Sequence, residues 1–404
     1  MRCLLASWGS SGDFHPFLGN PEWQAKAEAA VPGLRFVPAF AQTAADLIHR
    51  HPEMLDPRNF GLESFRHMVE KGIAPILAES CAALRAEAPG HDVLVAHHFT
   101  FPAALVHELT GIPWATVALA PGVTPSAYAM PAASGLVSLP LPGPLARAVQ
   151  GAIWRIGARS LGAILDPHVN RLRAELGLPP ARDHMFSARS PQLVLHLYSP
   201  RFAPKPPDWD ARHVIAGFCF DPSPEPPLPP EVEAFLAAGE APRLFTLGTT
   251  VVAHPKDFYT EAAASVAGTP QRALLLVGSD ANRPASLPPN VLAVPYLSHG
   301  AILPHCAAVA HQCGAGTMAT ALRAGTPTLA CPVAFDQPNN AARLAARGVA
   351  RVLPKKGRTA AGFARAFDAL LAGDVPRRAR EMGAAIRAED GPGTVCAAIE
   401  ERLG

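Results

Sequence analysis

No run of about 18 apolar residues occurs in this 404-residue chain, so nothing in it reads as a membrane-spanning helix. No CxxC pair occurs among its seven cysteines, Cys3, Cys81, Cys219, Cys306, Cys313, Cys331 and Cys396. Their odd number and wide scatter argue against a disulfide framework or a cysteine-rich zinc site. Neither sign of charge dominates: 35 basic residues stand against 33 acidic ones, a net +2. That balance lacks the basic face a phosphate-backbone binder requires, so nucleic acid is not an expected partner. The short basic pairs Lys355-Lys356 and Arg377-Arg378 read as solvated surface. Disorder is excluded as well, because 49% hydrophobic against 17% charged residues is a globular balance. The opening MRCLLASWGSSGD has one basic residue and a short apolar run that stops at Gly and Ser. It reads as a first strand and not as a signal peptide, which makes a cytoplasmic protein with no stable membrane insertion the expectation.

What is present is alternation. A chain of this length exceeds one hydrophobic core, so two domains are expected. Apolar runs with strand character at 2–7, 34–38, 92–96, 114–119, 192–197 and 214–216 are separated by helical patterns at 22–30, 62–88, 102–109 and 145–176. This is the signature of parallel βαβ units. Six prolines between Pro222 and Pro230 then favour extended backbone and mark a linker. Beyond it strands are predicted at 243–247, 273–277, 291–294, 307–310 and 328–331, with helices between them. The fold class is therefore α/β, with two Rossmann-like, doubly wound domains. Residues 1–220 and 221–388 are expected to form the two domains, and 389–404 a C-terminal helix returning to the first.

The chemistry concentrates between Ala307 and Ala350. A strand ends at His311, Gly314-Ala315-Gly316 makes a tight turn, and a helix is predicted from near Thr317 to Gly325, ahead of Pro327. That arrangement points unpaired N–H groups and the positive end of a helix dipole at one spot, which suits an anion such as a diphosphate. The next strand delivers Asp336 and Gln337 at its carboxyl end, where doubly wound sheets hold ligands. A carboxylate beside a carboxamide can accept from and donate to sugar hydroxyls. Asp336 can equally cap the helix that contains Pro338, Asn339 and Asn340.

The segment Gln312-Cys313-Gly314-Ala315-Gly316-Thr317, with Gly325-Thr326-Pro327, Pro332, Asp336-Gln337 and Asn340, resembles the donor-binding signature of a known family. That family is the inverting GT-B glycosyltransferases related to the UDP-glycosyltransferase superfamily, which includes sterol, antibiotic and rhamnolipid-type enzymes. The family's diphosphate-contacting His is replaced by Gln312, with His311 one residue earlier; a Gln donates a neutral hydrogen bond but no charge. The resemblance extends to Gly248-Thr249-Thr250, implied to lie near the donor phosphates, and to Tyr296-Leu297, implied to pack against the nucleobase. Without it these would read as a buried strand and a core-packed tyrosine.

In the first domain, Gly9-Ser10-Ser11-Gly12-Asp13-Phe14-His15 resembles the family's first loop and maps the catalytic base onto Asp13. His15 is the alternative on general acid–base grounds, since an unperturbed imidazole titrates near pH 6.5. His97, by its spacing to Gly111-Ile112-Pro113, aligns with the family's residue that orients the base, and a reversed Asp13/His97 pair is one reading; His97 and His98 read equally as ordinary residues at a strand end. Between Leu18 and Pro21 the chain is shorter than the family by about a helix and a strand. The resemblance implies a metal-independent hexosyltransferase of bacterial natural-product biosynthesis. It would move a sugar from a UDP or dTDP donor to a hydroxyl of a hydrophobic small molecule, with no cofactor, acting as a monomer or homodimer. Residues 54–68 and 121–144 are expected to wall the acceptor site. Asp208-Trp209-Asp210 has a metal-binding DxD spacing but lies among prolines and reads as surface loop; no metal is expected. A nucleotide-sugar epimerase of the same architecture and a catalytically degenerate helper protein are the rival readings.

Overall fold

The computed structural model describes residues 1–6, 50–51, 61–132 and 134–404, without the side chains of Thr249 and Thr250. Asp13, His15, the Gly9–Gly12 turn, the short junction after Leu18 and the elements expected at 22–38 lie outside the described residues. The chain divides into two compact units. Unit 1 comprises Met1–Pro131, Ser138–Asp221 and Asp390–Gly404; unit 2 comprises Ala132–Val137 and Pro222–Glu389.

Unit 1 holds a parallel sheet in the order β1 to β5: Cys3–Ala6, Val93–His97, Trp114–Ala118, Leu193–His196 and His213–Ile215. β2, β3 and β4 are buried along their whole length, so their residues read as continuous apolar runs and not as alternation. Helix α1 (Leu77–Glu87) and helix α2 (Pro102–Thr110) contribute to the same core. Pro102 starts α2 where a missing N–H costs nothing, and Gly111 ends it in the left-handed conformation at φ 74°. The long helical stretch expected at 62–88 is present but changes pitch along its length. Leu62–His67 is α-helical, Met68–Ile73 widens to a π-type turn, and Ala74–Ile76 tightens before α1 begins. Pro75 is the physical cause, since it lacks the N–H that a continuous helix would use. Helix α3 (Gly143–Glu175) follows, and its buried Arg173 is held by Glu108 through two bonds of 2.7 and 2.8 Å. The C-terminal helix Gly391–Leu403 completes unit 1, with Gly391 packed so tightly on the Phe218 carbonyl that no Cβ fits.

Unit 2 holds a six-stranded parallel sheet in the order β11-β10-β9-β6-β7-β8. β6 (Arg243–Thr246), β7 (Ala273–Leu276) and β8 (Val291–Val294) run outward in one direction. β9 (Ala308–His311), β10 (Thr328–Ala330) and β11 (Ala350–Val352) run the other way, with β9 beside β6. The order reverses between β6 and β9, which is where a doubly wound sheet opens a crevice for a ligand. β11 escaped the sequence reading because it is a three-residue edge strand with two exposed positions. Helices α4 (Ala315–Ala324), α5 (Gln337–Ala346), α6 (Ala360–Leu371) and α7 (Val375–Arg387) flank the sheet. Phe245 of β6 meets Phe363 and Phe367 of α6 edge-on, both with centroids 5.3 Å apart. The strip Ala132–Val137 joins this unit through Asn339, whose Nδ2 donates to the Leu136 carbonyl at 2.8 Å.

α4 and α7 touch backbone to backbone. A Cβ on Gly383 of α7 would lie 2.7 Å from the Gly325 Cα, at the point where α4 ends in a left-handed turn at φ 76°. Gly383→Ala should therefore push the helices apart and destabilise unit 2 by about 1–3 kcal/mol. Urea unfolding monitored on the full-length protein tests this, and an unchanged midpoint would contradict the close approach.

Candidate active site

At the switch point, β9 leads directly into α4. The helix begins at Ala315, two residues earlier than the sequence pattern implied, because Gly314 already takes the extended N-cap conformation at φ −63°, ψ 149°. Gly314 has no side chain to cap with, so the first-turn N–H groups of α4 stay open to an anion. Cys313 just before it has φ 68°, a left-handed conformation that a side chain resists. The His311 ring holds this turn. Its Nδ1 accepts from the Cys313 N–H at 3.0 Å, and its Nε2 lies 3.3 Å from the Thr328 hydroxyl. With Nδ1 accepting, the proton sits on Nε2 and the ring is neutral. Burial first, and His299 second, push it down to about 3. His311 therefore pins the loop and does not supply the positive charge that Gln312 lacks.

Gln312 is buried, at 5% exposure. Its carboxamide lies across two glycines: a Cβ on Gly314 would fall 2.9 Å from Gln312 Nε2, and one on Gly248 would overlap it. Gly248, at φ 62°, follows β6 and opens the helical turn Gly248–Val251 that carries Thr249 and Thr250. The structure thus brings Gly248, Gln312, Gly314, Ala315, Gly316 and Thr317 to the carboxyl ends of two adjacent strands. The Gln312 Oε1 atom is buried without a hydrogen-bond partner.

The neighbouring loop follows β10 and contains a second left-handed residue, Phe335 at φ 57°. Asp336 stands at the N-cap position of α5 but has helical angles, φ −78° and ψ −12°, and its side chain makes no cap. Its Oδ2 instead accepts from Asn340 Nδ2 at 2.7 Å, which corrects the capping alternative. The same Nδ2 donates to the Cys313 carbonyl at 3.0 Å, so Asn340 ties both loops together. Gln337 turns its Oε1 onto the Val333 and Ala334 N–H groups at 2.8 and 3.0 Å, which engages its acceptor in folding the loop. Behind the site burial pushes the Cys331 thiol up to about 12 and raises that of Cys313 well above its ordinary value, so neither is a thiolate.

Of the two residues assigned to the nucleobase loop, Tyr296 is 73% exposed and not core-packed, whereas Leu297 is buried and offers only backbone. Ser298 there donates its hydroxyl to Glu225 from the proline-rich stretch, a contact that no motif signalled. In unit 1, His97 ends β2 as a buried residue with its ring 4.2 Å from that of His98. The DxD segment is a loop with Asp208 and Asp210 exposed, as expected, and it is also tied down. Asp208 accepts from the Ser126 hydroxyl at 2.8 Å and the Ala127 N–H at 2.7 Å, and buried Trp209 donates Nε1 to the Pro125 carbonyl. It is an anchor for the loop after β3. Among the described residues no group of three or more His, Cys, Asp or Glu is placed to hold a metal ion. None of the helices searched there is long and apolar enough to cross a membrane.

Two parallel α/β sheets, the second doubly wound with a glycine-flanked helix terminus at its switch point, match the architecture of the GT-B glycosyltransferases. Residues 273–401 match the family described as "Erythromycin biosynthesis protein CIII-like, C-terminal domain". The chain is 38% identical over 242 residues to an O-mycaminosyltylonolide 6-deoxyallosyltransferase of Streptomyces fradiae, covering 58% of this chain and 56% of that relative. It is 30% identical over 371 residues to the vancomycin aglycone glucosyltransferase of Amycolatopsis orientalis, covering 86% and 85%. Among solved structures, the kitacinnamycin glycosyltransferase superposes with a TM-score of 0.73 at 21% identity, over 100% of this chain and 99% of that one. A spinosyn rhamnosyltransferase complexed with thymidine diphosphate superposes at 0.63 and 21%, over 99% and 100%. The chain belongs to the antibiotic-type glycosyltransferases of the UDP-glycosyltransferase superfamily.

Asn340→Ala removes both bonds that join the two loops and orphans the buried Cys313 carbonyl. It should cost about 2–3 kcal/mol of unit 2 stability. Denaturant unfolding measures this; a loss within 0.5 kcal/mol, about the scatter of neutral surface changes, would show that the loops hold without the clamp.

Proposed function

We propose that this enzyme transfers a sugar, with inversion, from a nucleoside diphosphate donor bound by unit 2 to a hydroxyl of a hydrophobic natural-product acceptor bound by unit 1. The observation that carries the donor half is the uncapped amino end of α4, set at the sheet's switch point between Gly248 and Gly314. A diphosphate placed there meets backbone N–H groups and the positive end of the helix dipole. Those groups offset the charge that develops on the departing diphosphate, without a metal ion or other cofactor. Gln312 adds a neutral donor where a charged one is the family habit. Asp336 and Gln337 face the sugar; because Asp336 Oδ2 and Gln337 Oε1 already have partners, recognition falls to their remaining polar atoms. The acceptor half rests on the relatives, whose names give O-mycaminosyltylonolide and the vancomycin aglycone as what they glycosylate.

The base is assigned to Asp13, with His97 as its orienting partner and His15 as the competing base. A carboxylate near pKa 4 can serve an alcohol because the proton moves only as the glycosidic bond breaks.

Turnover with UDP- and dTDP-sugars and a panel of hydroxylated aglycones tests the activity. Asp13→Asn should lower kcat by about 10² to 10⁴ with donor affinity unchanged. Retained activity in Asp13→Asn, together with its abolition in His15→Ala, would move the base to His15. Gln312→Leu keeps the side chain's volume and removes its hydrogen bond, and should weaken nucleoside diphosphate binding about tenfold in titration calorimetry. Unaltered binding would place the diphosphate away from this turn.

A further inference from the structure

The outward face of α3 is apolar where a surface helix is ordinarily polar. Gln150, Trp154 and Leu165 mark its buried side. On the opposite side Leu145, Ala148, Ala152, Ile156 and Ala163 recur at helical spacing along one strip. Leu145 is 51% exposed and Ile156 62%, Ala148 and Ala163 are exposed, and Ala152 is half-buried. Among the described residues, five of the nine exposed large apolar side chains, Tyr128, Leu136, Leu141, Leu145 and Ile156, fall within this one stretch of chain. Exposed apolar side chains are ordinary when scattered singly; several on one helix face mark a surface built for contact.

The same stretch carries charge of one sign. No Asp or Glu stands between Glu108 and Asp166, and the charged residues there are Arg147, Arg155 and Arg159. In a chain with 35 basic against 33 acidic residues, that is a local segregation of charge. Arg155 and Arg159 are both exposed and stand one helical turn apart, a like-charge spacing that weakens a helix. Exposed arginines on other helices have acids at this spacing: Arg66 meets Glu63 and Glu70, and Arg377 meets Asp374 and Glu381. On α3 the positions three and four away from Arg147, Arg155 and Arg159 hold no acid. The Arg147 guanidinium lies over the half-exposed Tyr128 ring, 5.5 Å from its centroid, which brings cation and aromatic together at the start of the helix. The amino end of α3, beside Leu145, adds the positive end of the helix dipole.

We propose that this face of α3 rests on an anionic lipid surface, with Leu145 and Ile156 at the acyl boundary and Arg147, Arg155 and Arg159 among the headgroups. Arginine suits that edge, since its stem lies along an apolar layer while its guanidinium reaches a lipid phosphate. A second copy of the chain fits worse: a two-fold contact through the strip sets arginines against arginines with no acid to offset them. A dissolved polyanion satisfies the arginines and leaves Leu145 and Ile156 in water. The helix lies on the membrane and does not cross it, in keeping with the absence, among the described residues, of a helix long and apolar enough to do so. The inference goes beyond the transfer reaction and stands independently of where donor and acceptor bind.

Flotation of the full-length protein with vesicles tests this, using mixed phosphatidylglycerol and phosphatidylcholine beside phosphatidylcholine alone. The wild type should float with the mixed vesicles, stay behind with the neutral ones, and bind less as salt is raised. The double variant Arg155→Gln with Arg159→Gln should bind about 25-fold more weakly, since each arginine near such a surface contributes about fivefold. Leu145→Ser with Ile156→Ser should bind about tenfold or more weakly at unchanged charge, because the apolar anchor is lost. The proposal is overturned by no binding to the mixed vesicles, by equal binding to the neutral ones, or by unaltered binding in either double variant. Should one double variant fail to fold, the other decides alone. Sedimentation without lipid covers the rival occupant: self-association that Leu145→Ser with Ile156→Ser abolishes assigns the face to a second copy and overturns the lipid reading.

Discussion

The two loops at the switch point of unit 2 depend on one carboxamide. Asn340 reaches from the first turn of α5 to the Cys313 carbonyl on one side and to the Asp336 carboxylate beside its own helix on the other. Both loops contain a non-glycine residue in a left-handed conformation, Cys313 and Phe335, and such residues persist only where their surroundings over-determine them. The clamp supplies that determination from one side, and the neutral His311 ring supplies it from beneath. What results is a rigid turn whose N–H groups are aimed before any ligand arrives, which is the condition under which backbone dipoles are most effective.

Much of this was legible from residue order. The strand, glycine turn, helix, strand, Asp-Gln sequence predicts loops at the carboxyl ends of neighbouring strands, because parallel βαβ units give each strand's carboxyl end a predictable position, and the structure has them there. The local alternation also gave the all-parallel sheets. Side-chain direction was not legible. Nothing in residue order shows that the His311 ring turns inward to hold Cys313, or that the Gln337 oxygen folds its own loop. A residue type fixes what bonds can be made, while the tertiary surroundings decide which partner is nearest. The change of pitch at Pro75 and the edge strand β11 were missed for simpler reasons, a helical periodicity that survives across it and a run too short to show a period.

Buried polar groups do two kinds of work in unit 1. Asp208, Trp209 and Gln150 satisfy backbone groups of Pro125, Ala127 and Leu139. His196 and His213 share a 3.0 Å bond and stack with Trp209, and burial holds both imidazoles neutral. These groups find their partners within the protein.

The way the chain is shared between the units also bears on recombination among such enzymes. Unit 1 is assembled from three separated stretches and includes the last helix, whereas unit 2 borrows the strip Ala132–Val137 from far upstream and holds it by Asn339, three residues after Asp336. A single crossover at the proline-rich stretch would therefore not exchange whole modules. It would leave the Asn339 amide facing a foreign strip and set the Phe218 backbone against a glycine it did not evolve beside. A transplanted donor unit needs its upstream strip to travel with it, and the receiving half must keep its own C-terminal helix.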